Sequence, residues 1–389
     1  MAATGRPVAI IARSVHGLEW VCAWEACAGG VAASDVRLSR RQADFEIESV
    51  GPSLLGLRTA DDVFVKVADI YGVGRTKAGL PALGQAAAAL DWPRAFGILR
   101  AVREVAERGS FDVVASVEGR PSYNRFAVEQ SIGRAVAPVL GATFSERDGG
   151  ARAGAESDFT VRAFVSDDRA TIAIRLGARP LHRRAYKVST GPGTLHPPVA
   201  AALAAIGAPA TGRLLDPFCG DGTIGIEAAL THRRLSVLAT DIDPRRVRNA
   251  RQNAALAGVD IEVRLADAAA VAESSAAVDA VITNPPWNQT VSPAGRMAGS
   301  GRSFWDVLAP VLGPDGTMCC VTDADLGVPG MMARQGWQLG LAQRIRLAGR
   351  VADVTQAAPP GRPAPGLPAG LADWRRKALA AGVVTDAGF

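Results

Sequence analysis

The chain has 389 residues, of which 48% are hydrophobic and 21% are charged, and its formal net charge is +5. The length predicts two or three domains, and the composition excludes a disordered or fibrous chain. No apolar run reaches the roughly 18 residues of a membrane-spanning helix, and the N-terminus lacks a signal-peptide layout, so we expect a cytoplasmic protein. The five cysteines, with no C-x-x-C spacing, indicate neither a disulfide framework nor a zinc site.

The N-terminal half combines strand and helix patterns. Alternating apolar residues in PVAIIA, DFEIESV, DVFVKVADI and FDVVASV predict strands, and DFTVRAFVSDDRATIAIRLG predicts two strands around an Asp-Asp turn. AFGILRAVREVAERG predicts an amphipathic helix that ends at Gly109, and YNRFAVEQSIGRAVAPVLG predicts a helix that ends at Pro138. This order favours a ferredoxin-like or related α+β module, in two segments over residues 1–60 and 61–180.

From Gly212 onward, strands and helices alternate. The predicted strands are RLLD, LSVLATD, IEVRLAD, VDAVITN and TMCCVTD, and the predicted helices begin at Thr223, Pro244 and Ser303. This alternation predicts a Rossmann-like α/β fold with a doubly wound, mostly parallel sheet, whose ligands bind at the carboxyl ends of the strands. Gly and Pro clusters place the domain boundary near residue 185, so we expect this domain over 186–356. The Pro- and Gly-rich residues 357–389 predict a tail with one short helix, LADWRRKALAAG.

Basic residues concentrate in two places. From residue 120 to residue 187 there are 12 Lys and Arg against 7 Asp and Glu, and a second basic run follows in the α/β domain. That run comprises Arg233, Arg234, Arg245, Arg246, Arg248 and Arg251. Such an excess of positive charge favours a phosphate-rich partner such as RNA. Arginines spread over an ordinary solvated surface would explain it equally well, so charge alone assigns no partner.

The stretch RLLDPFCGDGTIGIEAAL contains a G-x-G-x-x-G pattern where a predicted strand meets a predicted helix. The three glycines are Gly220, Gly222 and Gly225. With an acidic residue at the end of the next strand, here Asp241, this pattern is the fingerprint of a dinucleotide site, in which the strand runs directly into the first glycine. Residues 217–219 separate the strand from Gly220 in this chain, which disfavours a dinucleotide.

Carboxylates around the glycine loop indicate a cationic cofactor. Asp216 and Asp221 would each repel a nearby pyrophosphate by about 1 kcal/mol or more, whereas S-adenosylmethionine carries a sulfonium and an ammonium group. Asp241 can accept hydrogen bonds from both ribose hydroxyls, and Asp267 can accept one from the adenine amino group. Each of these two could instead be a helix cap or a turn residue, as Asp243 is expected to be.

The motif NPPW, Asn284–Trp287, directly follows the predicted strand DAVIT. An amino group conjugated to a ring is a poor nucleophile because its lone pair is delocalised. The Asn284 side chain and the Pro285 carbonyl can accept both amino hydrogens and favour a pyramidal, nucleophilic nitrogen. Pro285 and Pro286 restrict the backbone, and Trp287 offers a surface for an unstacked base. Asn-Pro-Pro also occurs in ordinary turns, but its position downstream of the acidic glycine loop favours methyl transfer to an amino group.

These motifs, together with HRRAYKV and LHPPVAAAL ahead of them, resemble those of the THUMP-containing RNA guanine-N2 methyltransferases, which act on tRNA and on 23S rRNA. The resemblance covers about residues 182–322, and residues 1–180 are compatible with the family in length and texture. It implies a class I methyltransferase domain that uses S-adenosylmethionine. It also implies a ferredoxin-like segment at 1–60 and a THUMP module at 61–180 that binds the acceptor end of tRNA.

By this resemblance, specific positions contact the cofactor and the base. The cofactor positions are Asp216, Phe218, Gly220, Gly222, Asp241, Asp267 and Asn284. The base positions are Asn284, Pro285, Pro286 and Trp287. Thr194 and Leu195, ahead of the helix that would lie against the cofactor, are weaker candidates. After Trp287 many members continue with Gly and a basic residue, whereas this chain has Asn288, Gln289 and Thr290, which leaves the target base and its position open.

Basic residues near the predicted domain boundary form another candidate site. They are His182, Arg183, Arg184 and Lys187. They would either grip RNA phosphates or belong to an exposed linker, and the pattern does not choose between the two. His196 is expected to be structural.

Three functions follow from these patterns. The favoured one is an S-adenosylmethionine-dependent methyltransferase acting on guanine N2, in tRNA rather than rRNA. N-P-P-aromatic motifs also serve methylation of adenine N6 and of protein glutamine, although the basic N-terminal half favours nucleic acid. The third is a non-catalytic RNA-binding protein that retains the cofactor fold. The sequence leaves the number of methyl groups and the oligomeric state open.

Overall fold

The computed structural model describes residues 2–106, 109–148, 151–152, 157–287, 295–297, 302–347 and 349–385. The N-terminal elements in chain order are β1 Ala2–Arg13, α1 Glu19–Ala28, β2 Ser34–Ser39, β3 Gln42–Val50, β4 Asp62–Tyr71, α2 Leu80–Ala88, α3 Trp92–Val102, β5 Ser110–Val117, α4 Arg125–Leu140, β6 Thr143–Phe144, β7 Arg147–Asp148, β8 Ala151–Arg152, β9 Phe159–Ser166 and β10 Arg169–Arg175.

The remaining helices and strands belong to the α/β half. They are α5 Pro197–Gly207, β11 Thr211–Asp216, α6 Thr223–Thr231, β12 Arg234–Asp241, α7 Pro244–Ala257, β13 Glu262–Leu265, α8 Ala268–Ser274, β14 Val278–Thr283, α9 Phe304–Leu308, β15 Leu312–Asp323, α10 Val328–Arg334, β16 Gln338–Leu347, β17 Arg350–Ala358 and α11 Ala369–Ala380. Short 3-10 helices lie at Pro52–Gly56, Lys77–Gly79, Gly295–Met297, Ala309–Val311 and Ala324–Leu326. No helix in these described ranges is long and apolar enough to cross a membrane.

The N-terminal half forms one eight-stranded sheet in the order β2-β3-β1-β4-β10-β9-β5-β6, in which only the β5–β9 and β5–β6 pairs are parallel. The predicted segments 1–60 and 61–180 share this sheet, because β1 pairs with β4 from Ile10↔Val65 to Arg13↔Asp62. Alternate strand residues pack with α2, α3 and α4 into one core on one face. The other face carries no such helical layer in the described residues, and it bounds the cavity discussed below.

Two predicted helix ends in this half are wrong. α3 ends at Val102 rather than at Gly109, because Arg103 is extended and its guanidinium donates to the carbonyls of Leu176 and Asp158. These tertiary contacts override the helical pattern of the following residues. α4 continues through Pro138 to Leu140, since a proline in the last turn removes only one helical hydrogen bond.

The α/β half contains the predicted mostly parallel sheet, in the order β13-β12-β11-β14-β15-β17-β16. β17 runs antiparallel to both of its neighbours, β15 and β16. The predicted alternation included neither β16 nor β17, and it also missed helices α8 and α10. α5 and α6 pack on one face, and α8, α9 and α10 pack on the other. The strand order reverses between β11 and β14, which is where a doubly wound sheet opens a crevice for its ligand.

Helix α1 joins the two halves. Its residues Cys22, Ala23 and Ala26 belong to the N-terminal core, whereas Trp20 and Val21 belong to the core of the α/β half. The C-terminal tail is docked on the same helix: α11, which was predicted, packs against α1 and buries Leu371 and Ala378 in the α/β core. The last strand ends at Ala358, two residues beyond the predicted domain end.

Candidate active site

A cavity of about 1570 Å³ lies between the two halves. Its floor is formed by loops at the carboxyl ends of β11, β12 and β14, and the open face of the N-terminal sheet forms the opposite wall. Every position predicted to contact the cofactor or the base lines it except Gly222. The structure therefore brings these predicted positions together at one cavity. No group of three or more potential metal-ligating His, Cys, Asp or Glu occurs among the described residues.

Asp216 ends β11 and is fully buried beneath the cavity. Its Oδ1 accepts hydrogen bonds from the Thr283 hydroxyl at 2.8 Å and from the Phe218 amide at 3.3 Å, whereas its Oδ2 has no partner among the described residues. Burial raises the pKa of Asp216 to about 7. A buried acceptor without a donor is unfavourable, so this oxygen fits a cationic ammonium group.

The glycines of the loop have separate roles. Gly220 has φ +52° with open space where a side chain would lie, so it permits the turn and leaves room beside the cavity. Gly222 has φ +82°, caps the N-terminus of α6 and would bring a Cβ within 3.0 Å of the Ala250 Cβ. It therefore shapes the turn and does not line the cavity, so its contact with the cofactor stays a prediction.

The Asp221 carboxylate is engaged by other residues of the chain, whereas the sequence predicted that its charge would favour a cationic cofactor. Its carboxylate forms an ion pair with Arg246 at 2.8 Å and accepts hydrogen bonds from the Asn249 side chain and the Gly191 amide, each at 2.9 Å. Burial acts to raise the pKa of Asp221, but these hydrogen bonds outweigh it and lower the pKa. Asp221 thus anchors the loop of residues 189–196 to the glycine loop, a role that the sequence did not reveal because Arg246 lies 25 residues away on α7.

Asp241 ends β12 as predicted. Its Oδ2 accepts from the Gly220 amide and its Oδ1 from the Asp243 amide, both at 2.9 Å. Because a carboxylate has about four lone-pair positions, capacity for two ribose hydroxyls remains. Burial raises the pKa of Asp241, so a hydrogen-bonding ligand would also stabilise its charged form.

Asp267 takes the structural role that was weighed against a cofactor contact. It caps α8, with Oδ1 accepting from the Ala269 amide, and its Oδ2 accepts from the Arg296 amide, both at 2.9 Å. The carboxylate thereby ties the start of α8 to residues 295–297. Since Asp267 also lines the cavity, a contact with adenine stays a prediction.

The Asn284 side chain is oriented by one hydrogen bond, and its oxygen accepts none from the described residues. Its Nδ2 donates to the Gly193 carbonyl at 3.3 Å, which orients the amide, and its Oδ1 is buried with no partner among the described residues. Trp287 is fixed by a hydrogen bond of 3.2 Å from its Nε1 to the Val321 carbonyl. The NPPW motif therefore presents an oriented acceptor and an anchored aromatic ring to one cavity. The family departure at residues 288–290 lies outside the described residues.

The candidates near the domain boundary serve the junction between the halves. The Arg184 guanidinium donates to the fully buried Glu227 at 2.9 Å and to two backbone carbonyls, so Arg184 does not belong to an exposed linker, and a phosphate contact stays a hypothesis. Glu227 also accepts from Arg58 at 2.6 Å, which links the N-terminal half to α6. The half-buried Lys187 donates to the Leu195 carbonyl at 2.6 Å, and Arg183 is exposed.

Two histidines lie at the same junction. His196 contacts the Asp61 carboxylate at 2.6 Å, in agreement with its expected structural role, and the His182 ring lies 5.2 Å from the His196 ring. Burial lowers the pKa of His182. Both rings border the cavity, together with the candidates Thr194 and Leu195.

The sequence interpretation missed several residues that line the cavity. Phe304, at the start of α9, adds an aromatic ring 5.1 Å from the Trp305 ring. The open face of the N-terminal sheet contributes Arg13, Phe64, Arg162 and Arg175. A signal for this second group existed, because the period-two alternation of DFTVRAFV places Arg162 opposite the core-facing residues.

Comparisons with known proteins agree with this geometry. The family model described as UPF0020, RMKL-like methyltransferase domain, matches residues 184–352. The chain is 33% identical over 279 residues to the tRNA (guanine(6)-N2)-methyltransferase of Thermus thermophilus, covering 70% of this chain and 76% of that protein. It is 34% identical to the tRNA (guanine(10)-N2)-dimethyltransferase of Methanothermobacter thermautotrophicus, over 48% and 57% of the two chains. The crystal structure of TrmN from Thermus thermophilus matches with a TM-score of 0.72 at 28% identity, over 90% and 99% of the two chains.

The fold and the convergent site define an S-adenosylmethionine-dependent methyltransferase of the class I fold. The acidic glycine loop and the free acceptor of Asn284 distinguish this site from a dinucleotide site on a similar sheet. The chain belongs to the THUMP-containing family of tRNA guanine-N2 methyltransferases, and it is an enzyme that uses S-adenosylmethionine. The resemblance inferred from the motifs is thereby confirmed, and so is the Rossmann-like domain preceded by an α+β region.

Proposed function

We propose that this enzyme transfers a methyl group to N2 of guanine 6 in tRNA. The supporting observation is the extent of the match to the guanine-6 enzyme. The match covers 70% of this chain, which is more than the part from residue 184 to residue 389, so the similarity includes part of the N-terminal half. The match to the guanine-10 relative covers 48% of this chain, which the part from residue 184 onward could contain by itself. We further propose that the N-terminal half binds the tRNA and that the enzyme works in the cytoplasm.

The residues around the glycine loop fit the cofactor. S-adenosylmethionine, when bound, supplies an electrophilic methyl group. The unpartnered Oδ2 of Asp216 would accept a hydrogen bond from its ammonium group, and Asp241 would accept from its ribose hydroxyls. Asp267 would accept from the adenine amino group, and Phe218 would contact the cofactor beside Gly220. Each role uses an acceptor or a surface that faces the same cavity.

Asn284 would prepare the guanine amino group for attack. Its buried Oδ1 accepts one amino hydrogen, and the Pro285 carbonyl accepts the other, which keeps the nitrogen lone pair out of conjugation with the ring. Trp287 would stack on the extruded base, because its ring is already fixed by Val321. These groups are oriented before substrate binds, so little reorganisation accompanies the reaction.

Replacing Asn284 tests this role. We expect Asn284→Ala to lower kcat about 100-fold or more, because one preorganised hydrogen-bonding partner of the transition state is lost. The dissociation constant for S-adenosylmethionine, measured by calorimetry, should stay close to that of the wild type. Asn124→Ala is the matched control, since Asn124 caps α4 away from the cavity. Turnover retained by Asn284→Ala would overturn the proposed role of Asn284.

Mass spectrometry of a tRNA transcript incubated with the enzyme tests the product. N2-methylguanine at position 6 supports the proposal, and its absence from a transcript with adenine at position 6 confirms the base. N2-methylguanine at position 10, or N6-methyladenine, would assign another target. Cofactor binding without methylation of the tRNA transcript would contradict the proposed substrate.

A further inference from the structure

The open face of the N-terminal sheet carries arginine and phenylalanine side chains on neighbouring strands. Arg13 lies on β1, Phe64 on β4, Arg162 and Phe164 on β9, and Arg175 on β10. The guanidinium carbons of Arg13 and Arg162 lie over the Phe164 ring, at 5.0 Å and 4.9 Å from its centroid. Phe164 also packs edge-on against Phe64. We call Arg13, Arg162 and Phe164 the sheet-face cluster.

The two arginines of this cluster lack a carboxylate partner. Arg175 is paired with Asp62 at 2.7 Å. Arg13 donates to the side-chain oxygen of Gln42 at 2.8 Å, and Arg162 donates to the Ser116 hydroxyl. Neither forms an ion pair within the described part of the chain, so two positive charges remain without a counter-charge in contact.

Their burial makes this arrangement costly without an anion. Burial and the neighbouring Arg13 and Arg175 lower the pKa of Arg162 to about 10, although Asp62 and Glu129 act in the opposite direction. Burial and Arg41 also lower the pKa of Arg13, although carboxylates act on it in the opposite direction from a longer range. A partly buried guanidinium without a counter-ion is unfavourable, and stacking on an aromatic ring offsets only part of that. The cluster is therefore preorganised to receive a negative charge.

The shape and place of the cluster favour a phosphodiester. A guanidinium presents a planar fork of donors that matches phosphate oxygens, and stacking on Phe164 restricts its orientation. Arg13 and Arg162 line the same cavity as Asn284, on the opposite wall. A base extruded toward Asn284 remains attached to its backbone, so a phosphate must pass close to this wall.

We propose that Arg13 and Arg162 bind a backbone phosphate of the RNA strand that carries the target base. The inference rests on the proposed function and extends it by naming a phosphate subsite. It assigns this subsite to a surface shared by both N-terminal segments, because β1 and β9 lie in the same sheet. The proposed phosphate contact does not require Arg13 or Arg162 to touch a base edge or the acceptor end of the tRNA.

The test compares full-length variants Arg13→Gln and Arg162→Gln with the wild type. We expect each to weaken tRNA binding about 10-fold and to reduce the slope of log K against log salt by about one, as for a lost phosphate contact. Affinity for S-adenosylmethionine should not change. Arg94→Gln, an exposed arginine outside the cavity, is the matched control and should leave binding and slope at wild-type values.

Thermal unfolding separates folding from binding. Removing one of two neighbouring charges should leave the Tm of Arg13→Gln at or above that of the wild type, and Arg162→Lys should retain charge but recover only part of the affinity. Wild-type affinity and salt slope in both glutamine variants would overturn the inference, and so would weaker cofactor binding, which would assign the arginines to the cofactor carboxylate. Failure of the proposed function would instead appear as a wild-type enzyme that forms no methylguanine.

Discussion

Individual residues of the site combine burial with incomplete hydrogen bonding. Asp216 and Asn284 each bury one side-chain oxygen that no described residue satisfies, and both residues line one cavity. Native proteins rarely leave such atoms unpaired, because each unmade hydrogen bond costs about 1–3 kcal/mol. The missing donors are those that the cofactor and the guanine amino group would supply, so binding removes a penalty already present in the folded chain.

Asp216 gives a prediction about pH. Its pKa is raised to about 7, so the carboxyl is largely protonated in the folded protein below that pH, whereas its unfolded pKa is near 3.8. The stability that this proton contributes is present below pH 4 and is lost as the pH rises through about 7. The proposed contact with the ammonium group of the cofactor requires the charged form of Asp216. We therefore expect the affinity for S-adenosylmethionine to fall by up to about 10-fold between pH 7 and pH 6.

Calorimetric titrations across this range would measure that dependence. Asp216→Asn should bind more weakly and lose the pH dependence, because the titrating group is gone. Asp315→Asn, an exposed carboxylate on β15, should retain the wild-type profile. A profile in Asp216→Asn identical to that of the wild type would contradict the assignment.

Among the elements, the loop of residues 189–196 depends on side chains from α7 and from the glycine loop. Arg246 on α7 pairs with Asp221 before α6, and Asn253 on α7 donates to the Ser189 carbonyl. Asn284 in turn donates to Gly193 of this loop. The loop is therefore held by the glycine loop on one side and by α7 on another, and its position is coupled to that of the Asn284 amide.

Breaking the anchor of this loop should be costly. Arg246→Ala leaves the Asp221 carboxylate, with a fully buried side chain, without its charge partner, and we expect a loss of about 3 kcal/mol in the free energy of unfolding. Urea denaturation measures this loss. The double variant Arg246→Ala with Asp221→Ala should recover part of it.

The neighbouring arginine provides the control for that experiment. Arg245 pairs with Asp243 at the surface, where its side chain is 78% exposed, so Arg245→Ala should change the stability little. Equal losses in Arg245→Ala and Arg246→Ala would show that the buried pair does not stabilise the loop.

The sequence was most informative where short motifs carry the site. The positions of Asp216, Asp241 and Asn284 follow from the ends of three parallel strands, and those ends must meet at one edge of the sheet. Arg13 and Arg162 were missed because their proximity depends on the β1–β4, β4–β10 and β10–β9 pairings across distant parts of the chain. The role of Asp221 was missed because a linear pattern shows a charge and not its partner.

At the scale of the whole molecule, the two halves share structural elements. α1 contributes to both cores, and the ion pairs of Glu227 with Arg58 and Arg184 also join the halves. The tail helix α11 covers α1 from the outside. A Cβ on Gly17 would clash with the Arg344 carbonyl, so the start of α1 also sits tightly against β16.

Trp20 tests whether the halves unfold together. It is fully buried in the α/β core although it lies on an N-terminal helix, and we expect Trp20→Ala to lower the free energy of unfolding by about 3–5 kcal/mol. Hydrogen exchange should show both sheets losing protection by a similar amount. The control Trp24→Ala, at a half-buried position of the same helix, should have a smaller effect. Loss of protection confined to one sheet would contradict the shared-core description.

The shared helix has a consequence for how the substrate reaches the cavity. Because α1 packs in both cores, a hinge motion between the halves would disrupt part of one core, so we expect the width of the cavity to be set when the chain folds. The RNA must then supply the distortion, by unpairing and rotating a nucleotide out of its helix. We expect the turnover rate to depend more on the free energy needed to deform the RNA duplex than on any closing motion of the protein.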